Sequence, residues 1–87
     1  MPIRFTIEER HLTDGKGRPV ASQEDVEFHT LDADTVDDAV RLFVRKDEGE
    51  LIGDVLKFPG FQAIATVRKP NGVFTLQFSP ASQQFEL

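Results

Sequence analysis

A chain of 87 residues and 9.8 kDa holds one hydrophobic core and has no room for a second. Ten Lys and Arg against fifteen Asp and Glu give a formal charge of −5, and 39% apolar content is a globular rather than a disordered balance. Cysteine is absent, which excludes disulfides, thiol catalysis and Cys-ligated zinc, and no apolar run approaches the ~20 residues of a bilayer span.

The chain opens on an alternation, Ile3, Phe5 and Ile7 against Arg4, Thr6 and Glu8, the period of a half-buried strand over 2–10. It starts without the apolar core of a signal peptide, so a cytoplasmic protein is expected. A polar stretch from His11 to Gln23 follows, with two Gly and a Pro, and reads as a long flexible loop over 11–23. Residues 24–31 read as a second strand with Val26 and Phe28 inward and Glu27 and His29 outward.

The helix has the strongest local signal. Val36, Ala39, Val40, Phe43 and Val44 recur at i, i+3, i+4, i+7 and i+8, one apolar stripe for one buried face. Asp34 or Thr35 can cap its start. Asp37 and Asp38 in the first turn, and Arg45 and Lys46 near the end, carry the signs that the helix dipole favours. Gly49 is the expected left-handed stop, which bounds the helix at about 35–48.

Residues 51–58 carry a short apolar run that periodicity alone does not settle; the strand reading is preferred, because Gly49 and Gly53 weaken a continued helix. In that reading Ile52, Leu56 and Phe58 share a face with Phe61 and Ala63. Two further strands follow. Phe61, Ala63, Ala65 and Val67 alternate against Gln62, Ile64, Thr66 and Arg68, and Phe74, Leu76 and Phe78 alternate against Thr75, Gln77 and Ser79. Parity favours pairing Val67 with Phe74, Ala65 with Leu76 and Ala63 with Phe78, across a four-residue loop, 69–72. Residues 80–87 form a C-terminal tail.

The expected fold is therefore α+β: a single domain over 1–87, a mostly antiparallel sheet of four or five strands, and one amphipathic helix on one face, in the order β-β-α-β-β-β.

Each candidate for chemistry has a plainer reading beside it. From Glu24 to Asp38 there are seven acids and no Lys or Arg. Asp32, Asp34 and Asp37 have the oxygen donors that Mg²⁺ or Ca²⁺ prefers, although the EF-hand pattern fails, with Phe43 where its last ligand belongs. A capped helix start beside a solvated strand end accounts for the same residues. Gly15-Lys16-Gly17-Arg18 lacks the spacing and the following helix of a phosphate loop. His11 and His29 have no neighbouring nucleophile, so no triad can be assembled and an enzyme is not expected.

Nucleic acid is disfavoured by the net negative charge and by an open sheet face of Gln62, Ile64, Thr66, Arg68, Thr75 and Gln77, which lacks stacking aromatics. Eight Phe without Tyr or Trp suit a core. Residues 1–40 carry a net −6 and residues 41–87 a net +1, an asymmetry that could steer a basic partner.

The leading expectation is a non-catalytic interaction or regulatory domain, without cofactor or membrane partner, that forms a homodimer or binds another protein through Glu24, Glu27, Ile64 and Arg68. The alternative is a small-ligand or divalent-metal domain built on Asp32, Asp34 and Asp37, with the 11–23 loop as a lid.

Overall fold

The computed structural model describes residues 2–14 and 26–81. Among the described residues, six strands and one helix follow the expected order with one additional short strand after the helix: β1 (Ile3–Asp14), β2 (Val26–Ala33), α1 (Val36–Lys46), β3 (Glu50–Leu51), β4 (Leu56–Phe58), β5 (Gln62–Lys69) and β6 (Gly72–Pro80). All pair antiparallel in one sheet of order β2-β1-β6-β5-β3, with β4 also on β5. The sheet has six strands rather than four or five because the 51–58 run supplies two short ones, interrupted at Gly53, whose φ of 70° breaks the extended backbone.

The helix lies across one face. Ala39, Val40 and Phe43 are buried against Phe5 and Ile7 of β1, Ala63, Ala65 and Val67 of β5, and Phe74, Leu76 and Phe78 of β6. Phe43 meets Phe78 edge-on, with ring centroids 6.1 Å apart. Thr35 is the cap, its Oγ1 accepting from the Asp38 amide at 3.0 Å.

The helix stops two residues before the expected boundary. Glu48, not Gly49, takes the left-handed conformation, at φ 56°. The Glu48 amide donates to the Arg45 carbonyl and the Gly49 amide to the Val44 carbonyl, the two bonds of a Schellman stop. Glu48 thus carries a backbone penalty that glycine would not. Glu48→Gly is expected to raise stability by about 0.5–1 kcal/mol, measured as a higher urea midpoint with an unchanged slope.

Four expectations about strand geometry need correction. β1 continues through Asp14, past a bulge between His11 and Thr13, so the first part of the 11–23 segment is strand; residues 15–25, and with them Glu24, lie outside the described residues, as does most of the 80–87 tail. β2 is turned the other way: Ile7 pairs with His29 and Glu8 with Phe28, so His29 and Leu31 face the helix and Phe28 faces away, 67% exposed. Leu31 and Ala33 are the apolar residues that reach the core, and parity sends Phe28 to the opposite face.

Leu56 pairs with Ile64 and Phe58 with Gln62, placing both on the open face rather than beside Ala63. The intervening Pro59-Gly60-Phe61 connection takes Phe61 out of the ladder at φ 60° and resets the alternation. Finally, pairing between β5 and β6 extends to Lys69 and Gly72, so the loop is Pro70-Asn71. The expected partners of Ala63, Ala65 and Val67 hold, because loops of two and four residues share parity. Pro70 sits in the turn, where no ladder donor is needed. Among the described residues no helix is long and apolar enough to cross a membrane.

Candidate functional site

The helix-covered rows of the sheet change character along their length. In β1, Ile3, Phe5 and Ile7 are followed by Glu9 and His11. In β2, Ala33 and Leu31 give way to His29 and Glu27, and in β5 the row of Ala63, Ala65 and Val67 ends at Lys69. These polar residues meet at one end of the core, beside the C-terminal end of α1.

Glu9 is the centre of this cluster, only 3% exposed. Its Oε2 accepts from Lys69 Nζ at 2.8 Å and its Oε1 from His29 Nε2 at 3.1 Å. Lys69 Nζ also donates to Asp47 Oδ2 at 2.7 Å, which ties the strand to the end of the helix. Glu27 Oε2 stands 3.6 Å from the same His29 nitrogen.

Burial disfavours the Lys69 charge, but its bonds to Asp47 and Glu9 outweigh that, and its pKa is raised above the ordinary lysine value. Lys69 Nζ also lies 4.4 Å from the Phe74 ring centroid. His11 stacks on Phe74 at 4.2 Å, and its Nε2 lies 3.2 Å from the Asn71 carbonyl oxygen. His29 is therefore half-buried against Phe43, at 5.1 Å between rings, and not a solvated outward side chain. Part of the signal is present in the sequence: Glu9 and Lys69 each continue a core row one step past Ile7 and Val67, whereas His29 and Glu27 do so only once pairing with β1 fixes which way β2 faces.

The acidic residues expected to hold a metal are placed differently. Asp32 accepts from Arg4 Nε at 3.0 Å, and Asp37 Oδ2 accepts from Lys57 Nζ at 3.3 Å. The Asp32 bond raises the Arg4 pKa. Asp32 and Asp34 line a cleft of about 450 Å³ with Asp38, Arg41 and Arg45, and Arg41 donates to Asp38 Oδ1 at 2.6 Å. Asp37 lines the neighbouring cleft instead, beside Val40, Val44, Leu51 and Val55. The carboxylates of this segment thus stand among guanidinium and ammonium groups that already supply positive charge.

The expected partner-binding residues separate as well. Ile64 and Arg68 lie on the open face of β5, whereas Glu27 is at the far edge of the sheet and on the helix side.

On the open face the registers align residues into rows that cross the strands. Phe28 faces Glu8, Glu8 faces Gln77, Gln77 faces Ile64, and Ile64 faces Leu56. This row begins and ends on large exposed hydrophobic side chains, Phe28 at one end and Leu56, 57% exposed, at the other. Phe58, paired with Gln62, extends the second end, and Thr6, Gln77 and Ser79 flank Glu8 in the polar middle.

The charges of this face are balanced. Arg4 bonds Asp32, Arg10 Nη2 lies 3.7 Å from Glu8 Oε1, and Arg68 is the cross-strand partner of Glu50. In comparisons with known proteins, no family model, no curated protein and no solved structure matches this chain.

Proposed function

We propose that the chain is a non-catalytic interaction module that pairs with a second copy of itself through the open face of its sheet. The observation that carries the reading is the row from Phe28 to Leu56, with Phe28 exposed at one end, Leu56 beside Ile64 at the other, and Glu8 and Gln77 between. A two-fold axis parallel to the strands, lying between two facing sheets, sets the β2 edge of one copy over the β4–β5 edge of the other. Phe28 then meets Leu56 and Ile64 of the second copy at the same height along the strands, twice in each dimer. Such a contact is isologous and closes on itself, and face-to-face sheets pack about 10 Å apart.

Charge supports a second copy over a basic partner. The whole chain is acidic, but this face balances Arg4, Arg10 and Arg68 against Asp32, Glu8 and Glu50, so two copies meet here without repulsion. Exposed hydrophobic side chains gathered on one face are uncommon on monomers and mark contact surfaces. Phe58, 45% exposed and paired with Gln62 on the open face, adds to the patch.

Sedimentation equilibrium at tens of micromolar protein tests this. The expected mass is twice the 9.8 kDa of one chain. Phe28→Glu and Leu56→Glu should each weaken the dimer by at least about tenfold, the loss expected for an apolar anchor replaced by a charge. Leu42→Glu, on the exposed side of α1, should leave the mass unchanged. A monomeric wild-type chain, or a dimer indifferent to Phe28→Glu, would overturn the reading.

A further inference from the structure

We infer that Glu9, Glu27 and His29 form a binding site for a divalent transition metal, zinc by ligand type, on the helix-covered face at the β1–β2 edge. Among the described residues these three form a group whose ligand atoms all lie within 4.8 Å of one another. His29 Nε2 is 3.1 Å from Glu9 Oε1 and 3.6 Å from Glu27 Oε2. Two ligands each about 2.05 Å from a tetrahedral zinc stand about 3.3 Å apart, so these separations bracket the spacing the ion requires. Imidazole with carboxylate suits zinc, whereas Ca²⁺ and Mg²⁺ would call for an all-oxygen set.

Glu9 and the charge around it make this more than a chance meeting of side chains. Its Oε2 is occupied by Lys69, which Asp47 holds in turn, so the carboxylate is fixed with Oε1 directed at His29. A buried ligand whose second oxygen is hydrogen-bonded is the arrangement that orients first-coordination-sphere carboxylates in metal sites. Glu9, Glu27 and Asp47 bring three negative charges to this corner, and Lys69 and Lys46, which lines the cleft beside His29 and Asp47, bring two positive charges. The excess negative charge beside a nearly buried carboxylate favours a cation. Neutral His29 offers its Nε2 lone pair once its proton moves to Nδ1, and the exposed Glu27 side chain closes on the ion from the solvent side. Three protein ligands leave one position for water or a fourth donor.

The site lies on the opposite face from the proposed dimer contact, so its test is independent: Phe28→Glu should bind metal as the wild type does. The full chain, stripped with chelator, is titrated with zinc by calorimetry and with cobalt(II) by visible absorption. One equivalent is expected, weakened by at least about tenfold in His29→Asn and in Glu9→Gln, and unchanged in Asp34→Asn. Absence of saturable binding at one equivalent, or equal affinity in His29→Asn, would overturn the assignment. Circular dichroism checks that each variant folds. Should either ligand variant unfold, cobalt-induced shifts in the wild-type NMR spectrum decide: shifts centred on His29 and Glu27 support the site, and shifts centred on 32–38 refute it.

Discussion

Phe78→Ala is expected to lower stability by about 3–5 kcal/mol, the largest loss from any single truncation considered. The side chain is 0% exposed at the centre of the sheet, opposite Ala63 on one side and Ile7 on the other, with Phe43 edge-on above it. Its two flanking residues explain the size of the effect. Ala63 is too small to fill the space, and Ile7 is held in β1 between β2 and β6, so the cavity would persist. A chain of this length has a total stability of about 4–13 kcal/mol, and the variant would sit near or below half-folded at the low end. Urea unfolding followed by circular dichroism measures it. A loss under about 1 kcal/mol would show that the helix settles into the gap. Phe43→Ala should combine with Phe78→Ala non-additively, since the two rings share one contact.

Lys69→Met should be the next largest, a loss of about 3 kcal/mol, because it strands a nearly buried carboxylate without its cation. The partial exposure of Asp47 tempers the second ion pair, which contributes less. The informative comparison is the double variant Glu9→Gln with Lys69→Met. Removing both charges takes away the stranded anion, so the pair should recover more than about 1 kcal/mol over Lys69→Met alone.

The sign of the pH dependence follows from the raised Lys69 pKa. A lysine whose folded pKa exceeds its unfolded value contributes stability that is fully present below about pH 10.4 and is lost as the pH rises through the folded value. Wild-type stability should therefore fall more steeply than that of the double variant above about pH 10, and the two should run parallel at neutral pH.

Legibility in the sequence followed the range of the interactions. The α1 stripe from Val36 to Val44, a cap at Asp34 or Thr35 and the inward rows of β1, β5 and β6 were readable, because helix period and strand alternation are properties of neighbouring residues; the structure chose Thr35. The helix stop was misplaced because glycine preference pointed to Gly49, whereas the backbone turned at Glu48 and used the Gly49 amide as a donor. The two faces of β2 were exchanged because both alternations carry apolar residues, Val26 and Phe28 against Leu31 and Ala33. Only pairing with β1 chooses between them.

The candidate sites were less legible for the same reason. Glu9 and Lys69 are 60 positions apart, and their contact exists only once β1 and β5 converge on the end of α1. Asp32, Asp34 and Asp37, clustered in sequence, instead acquired Arg and Lys neighbours from other elements.

Composition and periodicity by themselves determined a net negative charge and an α+β fold with one helix over an antiparallel sheet, because burial of an apolar stripe or row needs no more than local spacing. The tertiary structure decided which way β2 faces, which carboxylate is buried beside which cation, and that Phe28 and Leu56 end one row across the open face. Those are consequences of strand register, and register is set by partners distant in the chain.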